Sequence, residues 1–253
     1  MDRLIFTSNS AIKEQAVARQ VLVNELANVS TVGFKTSYDV ALTSIKADGA
    51  GFDTRFQAQA VSRDYIRMTP GAVMLTGRPM DIAMAEQTVL AVQAANGDEA
   101  YTRRGDLRSN IRGQLETGSG HLVMGQNGPI TVPANAKISI NQDGSIYARD
   151  PAQPSNAPGV LVDRLRILDG SAEMFERRED GLFKVSGKPE GSTFTSGPIL
   201  PKVLPNSLEG SNVSSIEALT RLMDHSRTFE LQIKIIKETK SLDESGATLM
   251  KAT

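Results

Sequence analysis

The residues able to do acid, base or nucleophilic chemistry are few. The chain has 253 residues, two histidines (His121 and His225) and no cysteine. Asp224-His225-Ser226 has the letters of a catalytic triad. Consecutive positions on a helix point about 100° apart, so the three cannot line up as orienter, base and nucleophile. Without cysteine, disulfides and thiolate metal sites are excluded. Gly118-x-Gly120 lacks the third glycine of a dinucleotide fingerprint and precedes no helix, and Gly187–Ser192 has no Gly-Lys-Ser/Thr of a phosphate loop. The loop aspartates do not follow a calcium-binding pattern. The expectation is therefore no enzyme, no cofactor, no metal and no small-molecule substrate. Arg103, Arg104, Arg108 and Arg112 form a basic cluster with two readings. One is a solvated β edge guarded against stray pairing. The other is a docking patch for an acidic neighbour. Asn28-Val29-Ser30 and Asn212-Val213-Ser214 match glycosylation sequons, but fit better as turn and cap residues.

Charge and hydropathy narrow the classes further. The net charge is −1, so nothing advertises nucleic acid or an anionic membrane as partner. No run of about 18 apolar residues exists to span a bilayer. Asp2 and Arg3 lead straight into an amphipathic pattern, not the basic-then-apolar layout of a secretory signal. If the protein acts outside the cytoplasm, the expected route is one that cleaves no such signal.

The elements that must carry any function lie at the two ends. A helical pattern starts near Asp2 and closes in Val23–Lys35, where Ser30-Thr31-Val32-Gly33 offers a left-handed glycine to stop it. On a 100° wheel it carries two apolar rows. One is Ile5, Ile12, Ala16 and Val23; the other is Leu4, Ala11, Ala18, Leu22 and Val29, with Leu26 between and Gln15 and Arg19 down the middle. That arc is wider than the stripe of a helix lying on one core. A second helix is predicted from about Ile216 to Leu242, opened by a Ser214–Glu217 capping box. Its Leu219, Leu222, Ser226, Phe229, Ile233 and Ile236 alternate spacings of three and four, a coiled-coil seam with one weak knob.

Between the helices the pattern is β. Residues 36–66 read as an extended connector with room for a hairpin. From Thr69-Pro70-Gly71 to Pro205, short apolar runs are split by Gly, Pro, Asn and Asp, with strong hairpin turns at Asn96-Gly97-Asp98 and Asp143-Gly144. Leu161–Leu168 reads as one strand, and Glu176–Asp180 as a solvated loop. Short strands at this spacing predict an all-β sandwich or barrel. The fold class is α+β: N- and C-terminal helices form a coiled-coil-like axial domain, with a central all-β domain inserted between them. The expected boundaries are 1–34 and 207–253 for the helices of the axial domain, 35–69 for the connector and 70–206 for the β domain. The surplus apolar row on the first helix calls for neighbouring chains.

Four separated motifs carry a resemblance. Asn24-Glu25-Leu26-Ala27-Asn28-Val29-Ser30-Thr31-Val32-Gly33-Phe34-Lys35, Thr76–Ala83, Tyr101-Thr102-Arg103-Arg104-Gly105 and Leu208-Glu209-Gly210-Ser211-Asn212-Val213 occur in this order. On them the chain resembles the flagellar basal-body rod and hook family of bacterial axial proteins. Glu25 and Val32 depart from the family's usual residues. Met1-Asp2-Arg3, Thr69-Pro70-Gly71, Asp180-Gly181-Leu182-Phe183 and Phe229-Glu230-Leu231-Gln232 point to its proximal-rod branch. The resemblance implies a structural subunit of the rod that transmits torque from motor to hook across the periplasm. It implies export through the flagellar apparatus, and as partners further copies, the rod proteins above and below, and the surrounding ring bushing. The expected assembly interface is Leu4, Ile5, Ile12, Leu22, Val23, Leu26, Asn28, Val29, Gly33, Phe34, Leu219, Leu222, Phe229, Ile233 and Ile236.

Overall fold

A computed structural model describes residues 2–37, 41–46, 56–61, 65–153 and 158–251. The chain divides into two compact units. The first holds residues 1–27, 39–63 and 214–253; the second holds 28–38 and 64–213. The division differs from the boundaries drawn on the sequence. The turn after the first helix and the segment before the second both belong with the β body, and the connector contributes to the helical unit.

The helical unit starts with α1 (Asp2–Ala27). Its next elements, β1 (Ala41–Lys46) and β2 (Phe56–Val61), form an antiparallel hairpin with Ala41 opposite Val61 and Lys46 opposite Phe56. The helix α2 (Ser215–Lys251) runs well past Leu242. Both α2 and β2 pack on α1. The amide of Glu217 donates to Ser214 Oγ at 3.4 Å, so the serine caps α2 as its position predicts. The helix α1 ends at Ala27, and the turn expected to close it follows over residues 28–33. Gly33 adopts the expected left-handed φ of 68°, and a close approach described below also requires glycine there.

The β body contains only strands, turns and loops among its described residues. Its strands in order are β3 (Val73–Leu75), β4 (Ile82–Met84), β5 (Thr88–Gln93), β6 (Glu99–Thr102), β7 (Leu107–Ser109), β8 (Leu115–Thr117) and β9 (Leu122–Val123). There follow β10 (Lys137–Ile140), β11 (Ser145–Arg149), β12 (Val160–Arg164), β13 (Ile167–Asp169), β14 (Phe175–Arg177), β15 (Phe183–Val185), β16 (Val203–Pro205) and β17 (Ser207–Glu209). The largest sheet runs β14-β15-β6-β5-β9-β8-β7, with β13 also on β5; β10-β11-β12 make a second, and β16-β4 and β17-β3 are separate pairs. Neighbouring strands in these sheets are antiparallel.

Strand β5 shows why this body holds together. Side chains alternate across a strand. Leu90 and Val92 join one apolar cluster with Ile82, Leu115, Val123, Ile130 and Ile146. Val89 and Ala91 join another with Tyr101, Phe175, Phe183 and Phe194. Both faces of β5 are thus dry. Tyr101, Phe175 and Phe194 meet edge to face at centroid distances of 5.0 to 6.0 Å, each contact adding ~0.5–1.5 kcal/mol beyond burial.

Two local readings are corrected. The run Leu161–Leu168 is two strands, because its hydrogen bonds change partner midway. Leu165 N–H donates to Gly144 O and Arg166 N–H to Met124 O, so β12 pairs β11 while β13 pairs β5. The charged run Glu176–Asp180 is not a solvated loop. Glu176 and Arg177 lie in β14, paired with β15. Arg178 is buried, with Nη2 3.2 Å from Asp180 and 3.3 Å from Glu190.

Gly105 lies against β4 so closely that an added Cβ would sit 1.8 Å from the Ile82 carbonyl oxygen. Gly105→Ala is expected to destabilise the β body by about 3 kcal/mol, read as a lowered urea midpoint of the folded chain.

Candidate functional site

Segments far apart in sequence meet on one carboxylate inside the β body. Glu209, at the end of β17, is buried, and so are Lys35 and Arg103. Lys35 Nζ donates to Glu209 Oε1 at 2.5 Å and to the Thr69 carbonyl at 2.9 Å. The Gly71 amide donates to the same Oε1 at 2.9 Å. Arg103 Nε donates to Oε2 at 2.8 Å. The rest of its guanidinium donates to the carbonyls of Met84 at 2.9 Å, Glu86 at 2.6 Å and Thr88 at 3.0 Å. One carboxylate thus accepts from two cations and an amide. Buried charge is tolerated only when lone pairs and protons are satisfied this fully.

A backbone clamp surrounds the ions. Gly33 N–H donates to the Glu209 carbonyl at 2.7 Å. A Cβ on Gly33 would lie 2.4 Å from the Arg103 carbonyl oxygen, so glycine is needed there for close approach as well as for φ. Asn212 Oδ1 accepts from the Thr36 amide at 2.7 Å, and its Nδ2 donates to the carbonyls of Arg67 at 3.0 Å and Thr69 at 3.2 Å. The Arg177 guanidinium lies 4.3 Å over the Phe34 ring and donates to the Lys35 carbonyl. Asn212 is therefore a cross-link between segments, more than a residue before a helix.

The basic cluster is corrected by this geometry. Arg103 is buried and no part of a surface. Arg104 pairs with Asp106 at 2.7 Å and Arg108 with Glu116 at 2.7 Å. Arg112 is exposed in the β7–β8 turn, but the four arginines make no common outward patch. Lys35 and Glu209 were not among the residues expected to form a site. Their signal is nonetheless present in the sequence: both are charged residues inside otherwise apolar or turn motifs, with opposite signs.

The expected interface residues are distributed over both units. Asn28, Val29, Gly33 and Phe34 lie in the turn that belongs to the β body, where Asn28 Oδ1 accepts from Thr31 Oγ1 at 3.0 Å. In the helical unit Leu22 is buried, and Ile12, Leu26, Leu222, Ile233 and Ile236 are half-buried. Val23, Leu219 and Phe229 are 50%, 48% and 43% exposed. The side chains of Leu4 and Ile5 lie outside the described residues. A groove of about 270 Å³ runs between α1 and α2, lined by Ile12, Gln15, Ala16 and Arg19 from one and His225, Ser226, Phe229 and Glu230 from the other. The buried Gln15 Oε1 has no hydrogen-bond donor among the described residues.

The triad of letters does no chemistry. Ser226 Oγ donates to the Leu222 carbonyl of its own helix at 3.1 Å, and Asp224 faces Arg227 at 3.9 Å. Gly118 and Gly120 sit in the β8–β9 turn, with Gly120 N–H bonded to the Thr117 carbonyl. Among the described residues, no cluster of three or more His, Asp or Glu could hold a metal ion.

Residues 87–148 match the flagellar hook protein FlgE/F/G D1 domain, and residues 204–249 the flagellar basal body rod FlgEFG protein C-terminal region. The chain is 37% identical over 248 residues to the flagellar basal-body rod protein FlgF of Salmonella typhimurium, covering 97% of this chain and 96% of the relative. The chain belongs to the flagellar basal-body rod protein FlgF family. The FlgF of Escherichia coli is also 37% identical, over 251 residues with the same coverage. A flagellar basal-body rod protein FlgG, from Caulobacter vibrioides, is 27% identical over 260 residues, 96% of this chain and 97% of its own. As a member of the FlgF family the chain is a structural rod subunit and not an enzyme.

The buried ions give a pH signature. Burial disfavours the charged Lys35 amine and Arg103 repels it, against the pull of Glu209, and its pKa is lowered to about 8 from 10.5. Between those values the unfolded chain keeps a proton that the folded chain has released. The cost of burying the charged amine is therefore fully present below about pH 8 and is relieved as pH rises through the window, by up to ~3 kcal/mol. Urea unfolding across that window should show this rise in the native sequence, and Lys35→Met should flatten it.

Proposed function

We propose that the chain is a subunit of the proximal rod, built into a hollow shaft that carries torque from the motor to the hook. The carrying observation is the apolar surface that the two helices leave open. Ile216, Leu219, Met223, Phe229, Leu231 and Leu242 on α2 are all substantially exposed, as is Val23 on α1. Burying one such side chain stabilises by roughly 1.5–3 kcal/mol, so neighbouring subunits have a strong driving force to cover them. The undonated Gln15 Oε1 adds to this, since a buried acceptor without a donor costs about 1–3 kcal/mol.

In this reading α1 and α2 pack with those of neighbouring copies as a coiled-coil-like tube. The contact is heterologous: one face meets a different face of the next subunit, which gives an open helical array and not a closed dimer. The partners are further copies and the rod proteins above and below. The β body faces the ring bushing, and the rod crosses the periplasm. The subunit reaches it through the flagellar export apparatus with no cleaved signal. The assembly residues are those named on the two helices and in the turn that follows α1.

Leu26→Asp or Ile233→Asp should abolish rod formation and swimming while leaving the β body folded, judged by basal-body isolation and soft-agar spreading. Motility that survives both changes would instead favour a β-domain binding module with helical oligomerisation arms.

A further inference from the structure

We propose that the Lys35–Glu209–Arg103 triad is a charge-gated latch: residues 28–37 seat on the β body only once β17 has brought Glu209 into place. The geometry supports this independently of the rod assignment. Arg103 is held by three backbone carbonyls, from Met84, Glu86 and Thr88, so its position needs no help from Glu209. Lys35 has the Thr69 carbonyl as its other acceptor besides the carboxylate. Without Glu209 the seated turn would either bury two cations aimed at the place of a missing anion or force Lys35 to give up its proton. The turn cannot ease them apart, because Gly33 already touches the Arg103 backbone with no room for a Cβ.

The anion comes from far along the chain. Glu209 lies 174 residues from Lys35 and 106 from Arg103. Its strand is positioned by pairing with β3, Ser207 opposite Leu75 and Glu209 opposite Val73. The gate therefore accepts the turn only after β3 and β17 have met. Hydrophobic burial alone could not impose this order. Apolar contacts form with any partner of suitable shape, whereas two buried cations exclude each other until an anion separates them.

A charge cycle in the full-length chain tests the latch through amide exchange. The reporters are the Thr36 and Arg67 amides, bonded to Asn212 Oδ1 and to the Thr36 carbonyl and not to Glu209. Glu209→Gln should speed their exchange on the order of 100-fold, with the β5 amides of Val89–Val92 unchanged. Adding Lys35→Met to Glu209→Gln should return the reporters to within roughly tenfold of the native sequence. One cation then remains, and the amide oxygen introduced by Glu209→Gln can accept from it. Restoration by the second change, or a double variant that folds where Glu209→Gln alone does not, supports the gate. The proposal is overturned if the double variant exchanges as fast as Glu209→Gln, if Glu209→Gln leaves the reporters protected, if β5 opens equally, or if both variants fail to fold.

Discussion

One carboxylate sets the closure of the β body. Glu209 takes charge-assisted hydrogen bonds from Lys35 on the N-terminal side and from Arg103 in the middle, while sitting itself near the body's C-terminal end. Removing three charges from water is costly, and such groups can often be replaced by apolar ones without loss of stability. What the network supplies is selectivity. An apolar side chain in place of Lys35 could pack in several orientations; an ammonium facing one carboxylate oxygen and one carbonyl has a single arrangement. The bulk of the stabilisation comes from the two apolar clusters on either side of β5, and the ions decide how the ends of the body are tied to it.

Both units leave apolar side chains open to water, the β body at Leu75, Ile111, Val160 and Leu200 among others. The β body also packs a core on both faces of its central strand, with three aromatic rings in edge-to-face contact. Many of its charges are paired inside it: Arg104 with Asp106, Arg108 with Glu116, Arg178 with Asp180 and Glu190. The helical unit buries Leu22 and Ala218 but leaves Leu219, Phe229 and Leu231 open to water.

The family motifs gain a physical meaning from this division. Gly33, Phe34 and Lys35, then Arg103 and Gly105, then Glu209 and Asn212 lie on three of the four motifs that carry the resemblance. Each makes its contact within the β body. Gly33 permits an approach to Arg103, Phe34 lies under Arg177, and Asn212 spans Thr36, Arg67 and Thr69. The recognisable letters of this chain are the fastenings of its body.

What the amino-acid order determined by itself was local. The Ser214 cap, the turns at Asn96–Asp98 and Asp143-Gly144 and the long helices at both ends all follow from contacts a few residues apart, which spacing alone can express. Tertiary structure decided the rest. It split Leu161–Leu168 between two sheets, because the partner strands that compete for its hydrogen bonds lie on distant parts of the chain. It turned Arg103 from a surface charge into a buried one, and it gave Lys35 and Glu209 each other across 174 residues. A single charged residue reads as solvated until its counter-charge is known, and no local pattern records which distant residue the fold will bring to it.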